Sequence, residues 1–188
     1  MRVERFAELW SDGFPPGQQK IEWFLFLKFM SDYWKMNGVN HPIVVEIGIR
    51  RGRQKRFWKE LGATHLGVDV SDKYAIPDIF GDSHDQTTFL RLEARLNMIR
   101  PGGKADLLFI DGDHSFLGVK QDFEIYGDLA HMIGIHDIHC LRCDVQVNEF
   151  WMKLRKDSAK MEKGFSFMEF FRPHPPDNYG IGLVLKEI

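Results

Sequence analysis

Cysteine is almost missing from this chain of 188 residues: Cys140 and Cys143, one C-x-x-C pair, are all there is. Two thiols exclude a disulfide-stapled scaffold, and in a reducing compartment such a pair reads as free. Long apolar runs are missing as well. The greasiest stretch, Ile21 to Met30, contains Glu22 and Lys28 and is too short for a bilayer, and no apolar h-region follows the amino terminus. The expectation is therefore a cytoplasmic protein with no membrane partner. Neither sign of charge dominates, since 25 Lys and Arg stand against 27 Asp and Glu, so there is no global reason to bind nucleic acid, and any basic surface must be local. Repeats and low-complexity segments are absent too. What is present, 44% hydrophobic residues over 188 positions, suits one domain, residues 1–188, with a sizeable core.

The pattern along the chain alternates. Gln18 to Lys35 sets Ile21, Phe24, Leu25, Phe29 and Tyr33 at helical spacing after a Phe14-Pro15-Pro16-Gly17 turn. Residues 1–40 thus read as a helical segment packed on the body of the domain or on a neighbouring subunit, its aromatic face belonging to core rather than to a cofactor box. Strands are expected at Ile43 to Ile47, His65 to Asp69, Ile79 to Asp82, Leu107 to Ile110 and Met132 to Ile135. The helices between and after them are expected at Arg53 to Leu61, Thr87 to Ile99, Phe116 to Leu129 and around Phe150 to Leu154. Such alternation implies a parallel sheet covered on both faces. Phe165 to Phe171 and Ile181 to Leu185 have only the Pro-rich Arg172 to Gly180 loop between them, so they should pair antiparallel. The fold class expected is α/β, a Rossmann-like three-layer sandwich whose mostly parallel seven-stranded sheet ends in an antiparallel hairpin.

Two strand ends carry chemistry. Leu107-Leu108-Phe109-Ile110 stops in Asp111-Gly112-Asp113-His114, and Met132-Ile133-Gly134-Ile135 stops in His136-Asp137-Ile138-His139. Carboxylates and imidazoles are thereby delivered to the edge where open α/β sheets bind ligands. The plainer reading is that Asp111 caps the next helix and His114 is solvated. A third strand end, Glu46-x-Gly48-x-x-x-Gly52, makes a glycine turn before a helix, and Asp69, about 20 residues on, stands where an acidic side chain would accept from ribose hydroxyls. Arg50 occupies the middle glycine of the dinucleotide fingerprint, which argues against NAD or FAD. His136, His139, Cys140 and Cys143 invite zinc, but a lone C-x-x-C lacks the second ligand pair of a structural site. Arg50, Arg51, Arg53, Lys55 and Arg56 form a local basic cluster, either a solvated helix face or a contact for an anion.

Taken jointly, Glu46-Ile47-Gly48 to Gly52, Val68-Asp69-Val70 and Gly81-Asp82-Ser83 resemble the first three motifs of class I S-adenosylmethionine (SAM)-dependent methyltransferases. The resemblance runs from about Gln18 to the carboxyl terminus and implies SAM as cofactor. On it, Glu46, Gly48 and Gly52 line the methionine part, Asp69 and Val70 the ribose, Asp82 and Ser83 the adenine, and Asp111 closes the cofactor site. Phe109 to Phe116 is similar to a narrower branch, the metal-dependent sugar O-methyltransferases and cephalosporin-hydroxylase-like proteins. That likeness implies Asp111 and Asp137 as metal ligands and His114 as general base. His136 stands where those enzymes usually carry a glutamate and becomes a third metal-ligand candidate. Imidazole is a poorer partner for Mg²⁺, so a different divalent metal, or none, stays open. If one ion is shared, Asp111 and Asp137 should lie within about 7 Å.

The activity implied is O-methylation of a small hydroxylated acceptor such as a sugar. The rivals are a nucleotide or nucleic-acid methyltransferase using Arg50 to Arg56 and a non-catalytic cofactor-binding module. No insertion forms a lid over the acceptor, so a homo-oligomer would fit.

Overall fold

The computed structural model describes residues 1–12, 15–142, 144–160, 164–172 and 179–186. The sheet has seven strands in the order β3-β2-β1-β4-β5-β7-β6: β1 (Ile43–Ile47), β2 (Thr64–Asp69), β3 (Ile79–Phe80), β4 (Leu107–Ile110), β5 (Met132–His136), β6 (Phe165–Phe170) and β7 (Ile181–Lys186). β1 to β5 pair in parallel, and β7 lies antiparallel between β5 and β6. This is the α/β sandwich with a terminal antiparallel hairpin that the alternation of elements anticipates. The strand order reverses between β1 and β4, and open sheets hold ligands at such a switch point, outside the carboxyl ends of the strands.

The central strands are apolar without interruption because both faces are covered. On one face Ile43, Val45, Ile47, Leu108 and Ile110 pack with α4 (Gln86–Ile99), α5 (Phe116–Tyr126) and α6 (Val147–Ser158). On the other, Val44, Leu107 and Phe109 meet α1 (Val3–Ser11), α2 (Lys20–Met36) and α3 (Lys55–Glu60). There Trp23, Phe26, Phe57, Trp58 and Phe109 interlock, with Trp23 and Trp58 edge to face at 5.1 Å. The buried face of α2 is Trp23, Phe26, Leu27, Met30 and Trp34, displaced from the stripe expected from the spacing: Ile21 and Leu25 are exposed, and Phe24, Phe29 and Tyr33 are half-buried at the edge of the core. Glu22, on the same helix and fully buried, accepts from the backbone N–H groups of Arg172 at 3.0 Å and Gly180 at 3.2 Å, which ties the segment joining β6 and β7 to α2. No helix among the described residues is long and apolar enough to cross a membrane.

Boundaries differ from the sequence expectation where turn geometry intervenes. The helix after β1 begins at Lys55, not Arg53, because residues 50–54 form a turn through the left-handed Arg50 and Gly52. The helix expected to reach Leu129 ends at Tyr126 and tightens into a 3₁₀ turn, Gly127–Leu129. β6 stops at Phe170. Phe14, Cys143 and most of the loop between β6 and β7 lie outside the described residues.

Gly48, directly after β1, has φ +85°, and a Cβ placed on it would stand 2.4 Å from the carbonyl oxygen of Asp111 and 2.5 Å from Gly112 Cα. The β1 and β4 ends approach this closely only because the side chain is missing. Gly48→Ala is expected to lower the free energy of unfolding by about 2–5 kcal/mol, the sum of left-handed strain and overpacking. Urea denaturation checks this, and a variant as stable as wild type would contradict the close approach.

Candidate active site

The site follows from strand register. Ile47 pairs with Ile110 and Ile110 with Ile135, so the next residue of each strand, Gly48, Asp111 and His136, emerges at one level of the carboxyl edge. Asp111 Oδ2 accepts from the side-chain amides of Gln18 at 2.9 Å and Gln54 at 3.3 Å. Asp111 Oδ1 lies 3.0 Å from His136 Nδ1. Asp137, one residue further, has the left-handed φ of +64° that β-strand residues avoid, a strain that clusters at functional sites. Its two oxygens serve two histidines, with Oδ1 at 3.2 Å from His136 Nδ1 and Oδ2 at 2.7 Å from His114 Nδ1. Burial opposes the charge on Asp137, yet His136 and His114 hold its carboxyl well below the usual range. His114 is raised by its hydrogen bond to Asp137. His136, despite burial, is raised by Asp111 and Asp137.

Asp111, His136 and Asp137 each present a ligand atom within 4.8 Å of the others. His136 is 5% exposed, and neither of its ring nitrogens has a hydrogen-bond partner in alignment, nor has Asp137 Oδ1. Buried polar atoms left this way are costly, and a cation held by His136 Nδ1 and Asp137 Oδ1 would satisfy two of them.

Two adjoining cavities meet here. One, of about 570 Å³, is lined by Gly48, Asp69, Val70, Asp82, Ser83 and Asp111 among others. Asp69 is oriented at its mouth by the backbone N–H groups of Arg50 and Ser71, both at 2.8 Å. The second, of about 490 Å³, is lined by His136, Asp137, Tyr179, Arg142 and the turn after β1. Gly48, Arg50, Asp111 and His114 line both.

Other candidates stand elsewhere. Glu46, expected beside the cofactor, is fully buried beneath α3, accepts from Trp58 Nε1 at 3.1 Å, lies 2.7 Å from His65 Nε2 and lines neither cavity. It shares the sheet face of Val44, turned into the aromatic core. Gly52, in a left-handed turn where a Cβ would stand 3.3 Å from that of Ala75, also lines neither. His139, drawn into the zinc reading, pairs instead with Glu169 at 2.9 Å, and Cys143 lies outside the described residues. The basic cluster divides. Arg56 bonds the Asp12 carbonyl, Lys55 stands 3.6 Å from Asp78, and Arg50, Arg51 and Arg53 border the second cavity. Sequence reasoning missed Gln18 and Gln54, since an amide that supports a carboxylate carries no motif.

By sequence, no family model and no curated protein matches the chain. By structure it is similar to the MycE methyltransferase of mycinamycin biosynthesis, solved with Mg, S-adenosylhomocysteine (SAH) and mycinamycin VI. The TM-score is 0.66 at 18% identity, over 96% of this chain and 54% of that one. It is also similar to the O-methyltransferase TomG of Streptomyces achromogenes, solved with SAM, at TM-score 0.57 and 11% identity, over 97% and 88% of the two chains. A third is magnesium protoporphyrin IX methyltransferase of Synechocystis PCC 6803 with bound SAM, at TM-score 0.57 and 12% identity, over 98% and 90%. The chain spans about half the length of MycE. The shared property is the fold: this chain has the Rossmann-like fold of class I SAM-dependent methyltransferases.

A buried acid under the first cavity was also missed. Asp122 follows Val119 and precedes Tyr126 on the inward stripe of α5, and an aspartate on an apolar stripe is the signal that would have found it. It is fully buried, neither oxygen has a hydrogen-bond partner in alignment, and His84 Nε2 is 3.4 Å away. Burial pushes its carboxyl up to about 6. The folded state therefore holds this proton more tightly than the unfolded chain, so the contribution of Asp122 to stability is greatest below about pH 4 and declines as pH rises through about 4 to 6. Asp122→Asn removes the ionisation and should be more stable than wild type at pH 7.5 by about 1–3 kcal/mol, with the gain vanishing near pH 4. Thermal melts across pH check it, and a pH-independent difference would contradict the assignment.

Proposed function

We propose that the chain is a SAM-dependent O-methyltransferase acting on a small hydroxylated acceptor such as a sugar, with a divalent ion at Asp111, His136 and Asp137. The observation that carries this reading is the meeting of the two cavities at Asp111 and His114. A donor and an acceptor bound on either side would touch where the acid–base groups stand. The first cavity suits SAM in size and in its donor set, since carboxylates at Asp69 and Asp82 would accept from ribose hydroxyls and an adenine amino group.

When bound, SAM supplies an electrophilic methyl group on a sulfonium. His114 donates its Nδ1 proton to Asp137 Oδ2 at 2.7 Å, which leaves Nε2 as the basic atom to take the acceptor's hydroxyl proton as the oxygen attacks. Asp137 orients that imidazole and stabilises its charged form. An ion held by Asp111, His136 and Asp137 would lower the pKa of the acceptor's hydroxyl. Gln18 and Gln54 keep Asp111 in place through their amides.

A second reading is favoured by the arginines: Arg50, Arg51, Arg53 and Arg142 all line the acceptor cavity, which would suit an acceptor carrying phosphate, such as a nucleotide-linked sugar. Acceptor binding would then weaken steeply with salt.

Calorimetry with SAH tests the cofactor half. Wild type should bind SAH and not NAD, and Asp69→Ala should bind it about 10- to 100-fold more weakly. Unchanged affinity in a folded Asp69→Ala protein, or preference for NAD, would overturn the reading. With an acceptor in hand, His114→Gln should keep SAH affinity and lose about 10²- to 10⁴-fold in turnover. Full turnover would remove His114 from the mechanism.

A further inference from the structure

We infer that the ion held at Asp111, His136 and Asp137 is a first-row transition metal of the Mn²⁺, Fe²⁺ or Co²⁺ class rather than Mg²⁺, and that His136 makes the choice. The inference rests on the reading above for the presence of an ion and deepens it by naming the ion. The donor set is two carboxylate oxygens and one imidazole nitrogen, all within 4.8 Å. Mg²⁺ prefers an all-oxygen octahedron, whereas mixed nitrogen and oxygen ligands suit the later divalent metals in the order of rising affinity from Mn²⁺ onward.

His136 cannot leave the site to make room for water. It ends a central strand, paired with Ile181 of β7. Its ring lies parallel to that of Tyr179, 14° from coplanar at 6.0 Å between centroids, and 6.5 Å from the Phe109 ring. With 5% of the residue exposed and Nδ1 at 3.0 and 3.2 Å from the two carboxylates, the ring stays beside any ion held there. A nitrogen-accepting metal gains it as a ligand, whereas an ion that takes only oxygen would draw both carboxylates away from a buried nitrogen and leave it without a partner. A four-coordinate Zn²⁺ also accepts nitrogen. Zn²⁺ sites draw chiefly on Cys and His, whereas here two carboxylates stand against one imidazole, a set that suits the earlier ions of the row.

The test uses the full chain, stripped with chelator and titrated separately with Mg²⁺ and Mn²⁺ by calorimetry. Wild type is expected to bind Mn²⁺ at least tenfold more tightly than Mg²⁺, and His136→Glu to reduce that preference at least tenfold by restoring an oxygen donor. Pulsed EPR of Mn²⁺-loaded wild type should show coupling to an imidazole nitrogen, a readout that needs no variant and survives a failure of His136→Glu to fold. Equal affinity for Mg²⁺ and Mn²⁺, no ion binding, or a Mn²⁺ spectrum without nitrogen coupling would overturn the inference. SAH titrated into the same preparation separates the two failures. SAH binding without the expected metal behaviour removes only the metal assignment, and absent SAH binding removes the methyltransferase reading itself.

Discussion

The site depends on three parallel strands ending level. Because β1, β4 and β5 are in register at Ile47, Ile110 and Ile135, consecutive positions beyond the strands fall into rows across the sheet edge. A parallel sheet spaces its strands by about 4.8 Å, close enough for side chains in one row to share a ligand. A slip of one residue in either pairing would turn Asp111 or His136 into the helical layers and leave the edge without its chemistry. Everything downstream elaborates that row. Gly48 lets it close, Asp137 adds a second tier by taking a left-handed backbone, and His114 is reached through Asp137.

The fold was legible because its elements announce themselves locally. Apolar runs such as Leu107 to Ile110 end in charge, the helices between them carry a periodic stripe, and the antiparallel pairing of β6 with β7 is announced by the short Pro-rich gap between them in sequence. That Asp111 and His136 stand at strand ends could be read the same way. Glu46 could not, because in a strand buried on both faces a polar residue does not reveal which layer it enters, and the motif around it suggested the wrong side. Gln18 stands 93 residues from Asp111 in the chain, and only the packing of α2 across the sheet brings its amide there. The strain at Asp137 is a backbone property with no compositional mark.

Beneath the cleft the protein tolerates polar groups that a purely structural core would shed. Asp122 sits uncompensated under α5, Glu46 is held by Trp58 and His65, and Glu22 is held by two backbone amides. Glu22 is satisfied through both oxygens and acts as a pin, whereas Glu46 is held through Oε2 alone and its Oε1 has no partner. Asp122 has no hydrogen-bond partner in alignment at either oxygen. It lies beside Gly112 and 3.4 Å from the ring of His84, which lines the first cavity, and stability given up at such a place is the usual companion of a working cleft.

The place of β7 bears on how the protein comes into being. It comes last in sequence of the seven strands described, yet it lies between β5 and β6, and the segment entering it supplies Tyr179 to the face of His136 and Gly180 to the carboxylate of Glu22. On the ribosome, β1 to β5 can assemble as residues emerge, but β5 keeps an open, apolar edge until residues 181–186 are released. Such an edge is a template for mispairing. The nascent chain is thus exposed to association with its neighbours for as long as β7 is unmade, and closing the sheet and completing the pocket around His136 are one event.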